Sequence, residues 1–115
     1  MMTAHAVLVV DDDDDVRELA AEVFDSLGHE VFQAPNGFAA LALLNEHPAI
    51  SVLFTDLKMP GMSGEDLVAE AMRRFPQLTV LLTSAYTNAA ALPNLPFFSK
   101  PWRLADLRRS LQDLI

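Results

Sequence analysis

The chain has 115 residues, 51% of them hydrophobic, which suffices for one domain with one sizeable core and leaves no room for a second. Its formal net charge is -8 and its 8 basic residues are scattered, which excludes a nucleic-acid binder, because displacing phosphate counterions needs clustered Lys and Arg. There is no cysteine for a disulfide or thiolate metal site, and no apolar run nears the roughly 20 residues of a membrane span. The start MMTAHAVLVV runs into acid too early for a signal peptide, so a cytoplasmic protein with no membrane partner is expected.

In chain order, Ala6 to Val10 is a short β-branched run that reads as a strand buried on both faces. Val16, Leu19, Ala20, Val23, Phe24 and Leu27 then share one helical face. That helix starts near Asp14 and ends at Leu27, where Gly28 supplies a favoured C-terminal residue. Glu30 to Ala34 alternates like a half-buried edge strand. A second helix spans Gly37 to Glu46 before Pro48, and Ile50 to Phe54 is another buried strand. A third helix covers Gly64 to Phe75, with Ser63 and Asp66 spaced like a capping box. Leu78 to Leu82 and Leu95 to Phe98 supply the last strands, and Leu104, Leu107, Leu111 and Leu114 mark a final helix.

Strands alternating with helices imply right-handed βαβ units, hence a doubly wound parallel sheet with helices on both faces. For five strands the usual order is 2-1-3-4-5, and ligands bind beyond the carboxyl ends of the strands where the order reverses. The reversal between strands one and three brings Asp11 and Asp12 opposite Asp56. Carboxylates gathered this way repel unless they are protonated or share a cation, and oxygen ligands without His or Cys suit Mg²⁺, with Mn²⁺ as a substitute.

The segments VLVVDDDDDVREL, FTDLKMPGMSG, VLLTSA and FFSKPW together resemble the motif set of response-regulator receiver domains, in a single-domain, chemotaxis-regulator-like arrangement covering nearly the whole chain. The resemblance implies a flavodoxin-like α/β fold and phosphorylation of an aspartate by a phosphohistidine on a sensor histidine kinase or histidine phosphotransfer protein. It assigns Asp56 as phosphoacceptor and Asp11 and Asp12 as the paired metal-site acids. The Lys58 backbone carbonyl is a further ligand, Ser84 the hydroxyl that bonds a phosphoryl oxygen, Lys100 the ion-pairing lysine and Phe97 the aromatic switch. Ser84 shares the switch role. Lys58 and Tyr86 occupy positions that tune water access to the phosphoryl group. Such a chain is a phosphoacceptor that assists its own phosphorylation and dephosphorylation rather than a turnover enzyme, and it signals to a downstream protein by contact.

The chemistry agrees with these assignments, because a carboxylate attacking an anionic phosphoryl group needs positioning and charge neutralisation. Asp11, Asp12 and Asp56 against Lys100 leave the pocket two charges negative, which a divalent cation cancels. Simpler readings apply to several residues. Asp13, Asp14 and Asp15 sit where acids favour a helix N-terminus, Pro60, Gly61 and Gly64 are turn residues, Trp102 is a core or interface aromatic, and His5, His29 and His47 are surface or loop residues.

One departure from the family pattern stands out. Only 15 residues separate Ser84 from Lys100, and Pro93 and Pro96 lie among them, so the fourth helix is shortened to a turn or two around Thr87 to Leu92. This predicts an output face remodelled from the family's usual one. With no effector domain after Ile115, residues 1–115 read as one stand-alone receiver. The alternative is a small haloacid-dehalogenase-type phosphohydrolase with Asp11 as nucleophile and Asp13 as acid, against which stand the short chain and the position of Asp56 before the KMPGMSG loop. A third reading is a receiver that binds partners without taking phosphate.

Overall fold

The computed structural model describes residues 4–85 and 94–115. The strands are β1 (Ala6–Val10), β2 (Glu30–Ala34), β3 (Ile50–Asp56), β4 (Thr79–Ser84) and β5 (Phe97–Ser99). The helices are α1 (Asp14–Ser26), α2 (Gly37–Glu46), α3 (Gly64–Arg74) and the C-terminal α4 (Leu104–Leu114). All strand pairs are parallel, as the alternation of elements predicts, and the sheet order is β2-β1-β3-β4-β5, the order expected for five such strands. The short helix expected at residues 87–92 and the side chain of Tyr86 lie outside the described residues.

Side-chain alternation along the central strands divides the core in two. Leu8, Val10, Leu53, Val80 and Leu82 meet α2 and α3 through Ala40, Leu41, Leu44, Leu67, Val68 and Ala71. Val7, Val9, Val52, Phe54 and Leu81 meet α1 and α4 through Ala20, Val23, Phe24, Leu107 and Leu111. Because both faces are covered, β1, β3 and β4 read as continuous apolar runs, while β2 at the sheet edge keeps its polar residues outward.

Polar caps set where the helices begin. The Asp13 carboxylate accepts the N–H groups of Asp15 and Val16 at the start of α1, Asn36 accepts Ala39 N–H at the start of α2, and Ser63 accepts Asp66 N–H at the start of α3. Gly28 ends the first βα unit at φ 91°, the left-handed region glycine enters without a Cβ penalty. Strands β3 and β4 each run two residues past the apolar stretch, because Thr55, Asp56, Thr83 and Ser84 stay in the hydrogen-bonded ladder despite their polarity. His29 departs from the surface expectation. It lies in a loop but is only 4% exposed, its Nδ1 accepting His5 N–H at 2.9 Å.

Candidate functional site

The register of β1 on β3 pairs Val10 with Thr55, so the residues that follow, Asp11 and Asp56, emerge side by side at the carboxyl edge. Asp11 and Asp56 are buried and Asp12 is exposed, with one carboxylate oxygen of each lying within 4.8 Å of the others. The topology thus brings together the three acids that the switch-point argument selected. An all-oxygen set of this kind, with a solvent-facing member, fits a hard divalent cation such as Mg²⁺ that keeps several waters.

Lys100 enters from the loop after β5, where its backbone N–H donates to the Ser84 carbonyl at 2.9 Å. Its ammonium donates to Asp11 Oδ2 at 2.7 Å and to Asp56 Oδ2 at 3.2 Å, bridging the two buried carboxylates. The other Asp56 oxygen, Oδ1, accepts the backbone N–H of Lys58 at 3.2 Å, so both oxygens of Asp56 are oriented. Asp11 Oδ1 accepts Asp13 N–H at 3.0 Å.

Burial raises the Asp56 carboxyl above its ordinary range, prevailing over the opposing pull of Lys100 and the Lys58 N–H, and the charge of Asp11 adds to the rise. Burial alone would lower the Lys100 ammonium, but its hydrogen bonds and ion pairs with Asp11 and Asp56 outweigh it and hold the group above its ordinary value. The pocket therefore carries a fixed cation against carboxylates that resist sharing so small a volume.

Ser84, the last residue of β4, is buried and pairs in register with Ser99 beside Lys100. Phe97 is half-buried on β5 opposite Leu82 and packs against the α2–α3 side of the core. The Lys58 side chain, two residues after Asp56, is exposed.

Three features of the site exceed the sequence reading. Gly64 is more than a turn residue, because a Cβ there would lie 2.2 Å from the Asp56 carbonyl oxygen and 2.5 Å from Leu57 Cα. Trp102 donates from Nε1 to Thr83 Oγ1 at 2.9 Å, and its ring centroid is 5.8 Å from the Lys100 ammonium. Arg17 donates to the Asp11 carbonyl at 2.9 Å. The close approach at Gly64 had a weak signal in the glycine directly after a helix cap. Arg17 looks in sequence like any exposed helix arginine.

The sequence profile of the response regulator receiver domain matches residues 7–112. The chain belongs to that family. The receiver is 30% identical over 118 residues to sporulation initiation phosphotransferase F of Bacillus subtilis, a match covering 96% of this chain and 94% of that protein. It is 29% identical over 116 residues to the sensor kinase CckA of Brucella abortus, covering 95% of this chain but only 12% of the kinase. Among solved structures, the response regulator TrrA of Thermotoga maritima in complex with Mg²⁺ and a beryllium fluoride superposes with a TM-score of 0.84 at 25% identity, covering 96% of this chain and 99% of that one. The hydrolase alternative draws no support, since the family whose profile matches residues 7–112 is a different one.

Proposed function

We propose that Asp56 is the phosphoacceptor of this receiver and that Asp11, Asp12, Asp56 and the Lys58 carbonyl hold Mg²⁺ beside it. The observation that carries the reading is the Lys100 ammonium bridging buried Asp11 and Asp56, with an oxygen of exposed Asp12 in reach of both acids. The TrrA complex with Mg²⁺ and a beryllium fluoride supports the metal assignment by similarity.

When bound, Mg²⁺ supplies positive charge against the phosphoryl oxygens. The chain's own residues do the rest. The Lys58 N–H fixes the plane of the Asp56 carboxylate, and an Asp56 oxygen forms a bond to phosphorus as the P–N bond of a phosphohistidine breaks and the imidazole leaves. Lys100 exchanges part of its contact with Asp56 for a phosphoryl oxygen, and the Ser84 hydroxyl bonds another. Moving Ser84 and Lys100 shifts the ends of β4 and β5, and Phe97, at the start of the three-residue β5, moves with them, which couples the chemistry to a surface read by a downstream protein. The donor is a sensor histidine kinase or a histidine phosphotransfer protein, in keeping with a relative that is part of a sensor kinase and another named a phosphotransferase. Residues 1–115 act as one receiver unit, in the cytoplasm. Lys58 and Tyr86 shield the acyl phosphate from water, so replacing both by Ala should speed its hydrolysis.

Incubation with phosphoramidate, which carries the P–N bond of the natural donor, tests the reading. A Mg²⁺-dependent adduct that hydroxylamine removes and EDTA prevents is expected on wild type. Formation of the same adduct on Asp56→Asn would contradict it.

A further inference from the structure

We propose that Arg17 is a positioning residue for the cation site, holding the peptide between Asp11 and Asp12 so that both carboxylates meet one ion. The inference rests on the reading of Asp11, Asp12 and Asp56 as the Mg²⁺ site. The Arg17 side chain, in the first turn of α1, is only 13% exposed. Its three nitrogens each donate to a different element: one terminal nitrogen to the Asp11 carbonyl at 2.9 Å, the other to Asp14 Oδ1 at 2.7 Å, and Nε to Gln33 Oε1 at 3.2 Å. One planar group thereby ties the loop after β1, the start of α1 and the end of β2.

Asp12 depends on this tie. It is exposed, and no group among the described residues hydrogen-bonds its carboxylate, so the placement of its backbone is what limits where that carboxylate can reach. The carbonyl of the peptide that joins it to Asp11 is the one Arg17 holds. Asp11 is also fixed through its N–H to the Ala34 carbonyl at 3.2 Å, leaving the carbonyl side of that residue to Arg17.

Charge and position make opposite predictions, which is what renders the idea testable. A guanidinium beside a cation site repels the cation, and its removal frees Asp14 as an extra negative charge, so on electrostatics alone losing Arg17 tightens Mg²⁺. Loss of positioning weakens it, by roughly tenfold for a group that orients metal ligands from behind. Lysine keeps the charge but not the planar fork, so it should rescue little.

Mg²⁺ titrations by calorimetry and by Trp102 fluorescence, on wild type, Arg17→Lys, Arg17→Ala and Gln33→Leu, read the difference. The expected result is a roughly tenfold rise in Kd for both Arg17 variants and a smaller rise for Gln33→Leu, which removes one bond on Arg17 and no charge. In phosphoramidate assays the loss should appear in the Mg²⁺ concentration needed for half-maximal rate, not in the rate at saturation. If Arg17→Ala does not fold, the other two variants carry the test. Unchanged or tighter Mg²⁺ binding in Arg17→Lys and Gln33→Leu overturns the proposal, whereas a wild type that binds no Mg²⁺ overturns the site reading beneath it.

Discussion

Asp56 is held in a state that its own chemistry makes costly. Its carboxyl is raised above the ordinary range by burial, so it favours the fold when protonated, and that contribution is lost as pH rises through its folded-state value. At neutral pH the ionised group therefore costs stability in metal-free protein, and Asp56→Asn should raise Tm while abolishing phosphorylation; a lowered Tm would mean that Lys100 dominates instead. Lys100→Ala leaves two buried carboxylates without their shared cation, and thermal unfolding should show a loss of roughly 1–3 kcal/mol. Added Mg²⁺ should recover part of it. His29 works in the other direction: burial, and secondarily the charge of His5, lower its pKa, and its Nδ1 must stay unprotonated to accept His5 N–H. Its contribution is present above the ordinary histidine value and lost as pH falls through the folded one, so His29→Gln should flatten the loss of stability measured from pH 7 downward. The meeting of Asp11, Asp12 and Asp56 was legible in the sequence because a sheet reversal and a motif both point to them, whereas Lys100 was legible through the motif alone. The burial of His29 was not, since a lone histidine after a glycine carries no periodic signal.

The elements that build the pocket were read closely where hydrophobic period speaks and less fully elsewhere, since polar residues continue β3 and β4 and β5 runs Phe97–Ser99 where Leu95 to Phe98 was expected. Thr55 to Asp56 and Thr83 to Ser84 remain in the ladder because their neighbours are paired on both sides, a tertiary fact that no local pattern displays. The start of α3 illustrates how an element's position becomes chemistry. Gly64 lets the helix pack directly on the backbone of Asp56 and Leu57, so Gly64→Ala must push that backbone aside, at about 2–3 kcal/mol in denaturant unfolding and with slower phosphorylation. Gly28→Ala, strained at φ 91° but with no atom within 4 Å of the added Cβ, should cost about 1 kcal/mol and leave phosphorylation alone. Equal effects of the two on phosphorylation would show that Gly64 acts only through global stability. Replacing the Ser63 cap by Ala should cost about 1 kcal/mol.

For the molecule as a whole, the parallel sheet and its two helical layers follow from the βαβ alternation together with the right-handed crossover rule, and the strand order is the one usual for five such strands. Both faces of the sheet are covered, and no helix among the described residues is long and apolar enough to cross a membrane. A net charge of -8, with three carboxylates at one edge, should make stability depend on divalent cations. Mg²⁺ at a hundredfold excess over its Kd should add about 2.7 kcal/mol. That corresponds to a rise in Tm of about 10 °C for a domain of this size, and the rise should vanish in Asp11→Asn with Asp12→Asn.

The most direct test of the central assignment is intact-mass measurement after incubation with acetyl phosphate and Mg²⁺, on wild type and Asp56→Asn. One phosphoryl group on wild type and none on the variant is the predicted result. An adduct on both proteins, or on neither, would contradict the assignment of Asp56 as the phosphoacceptor.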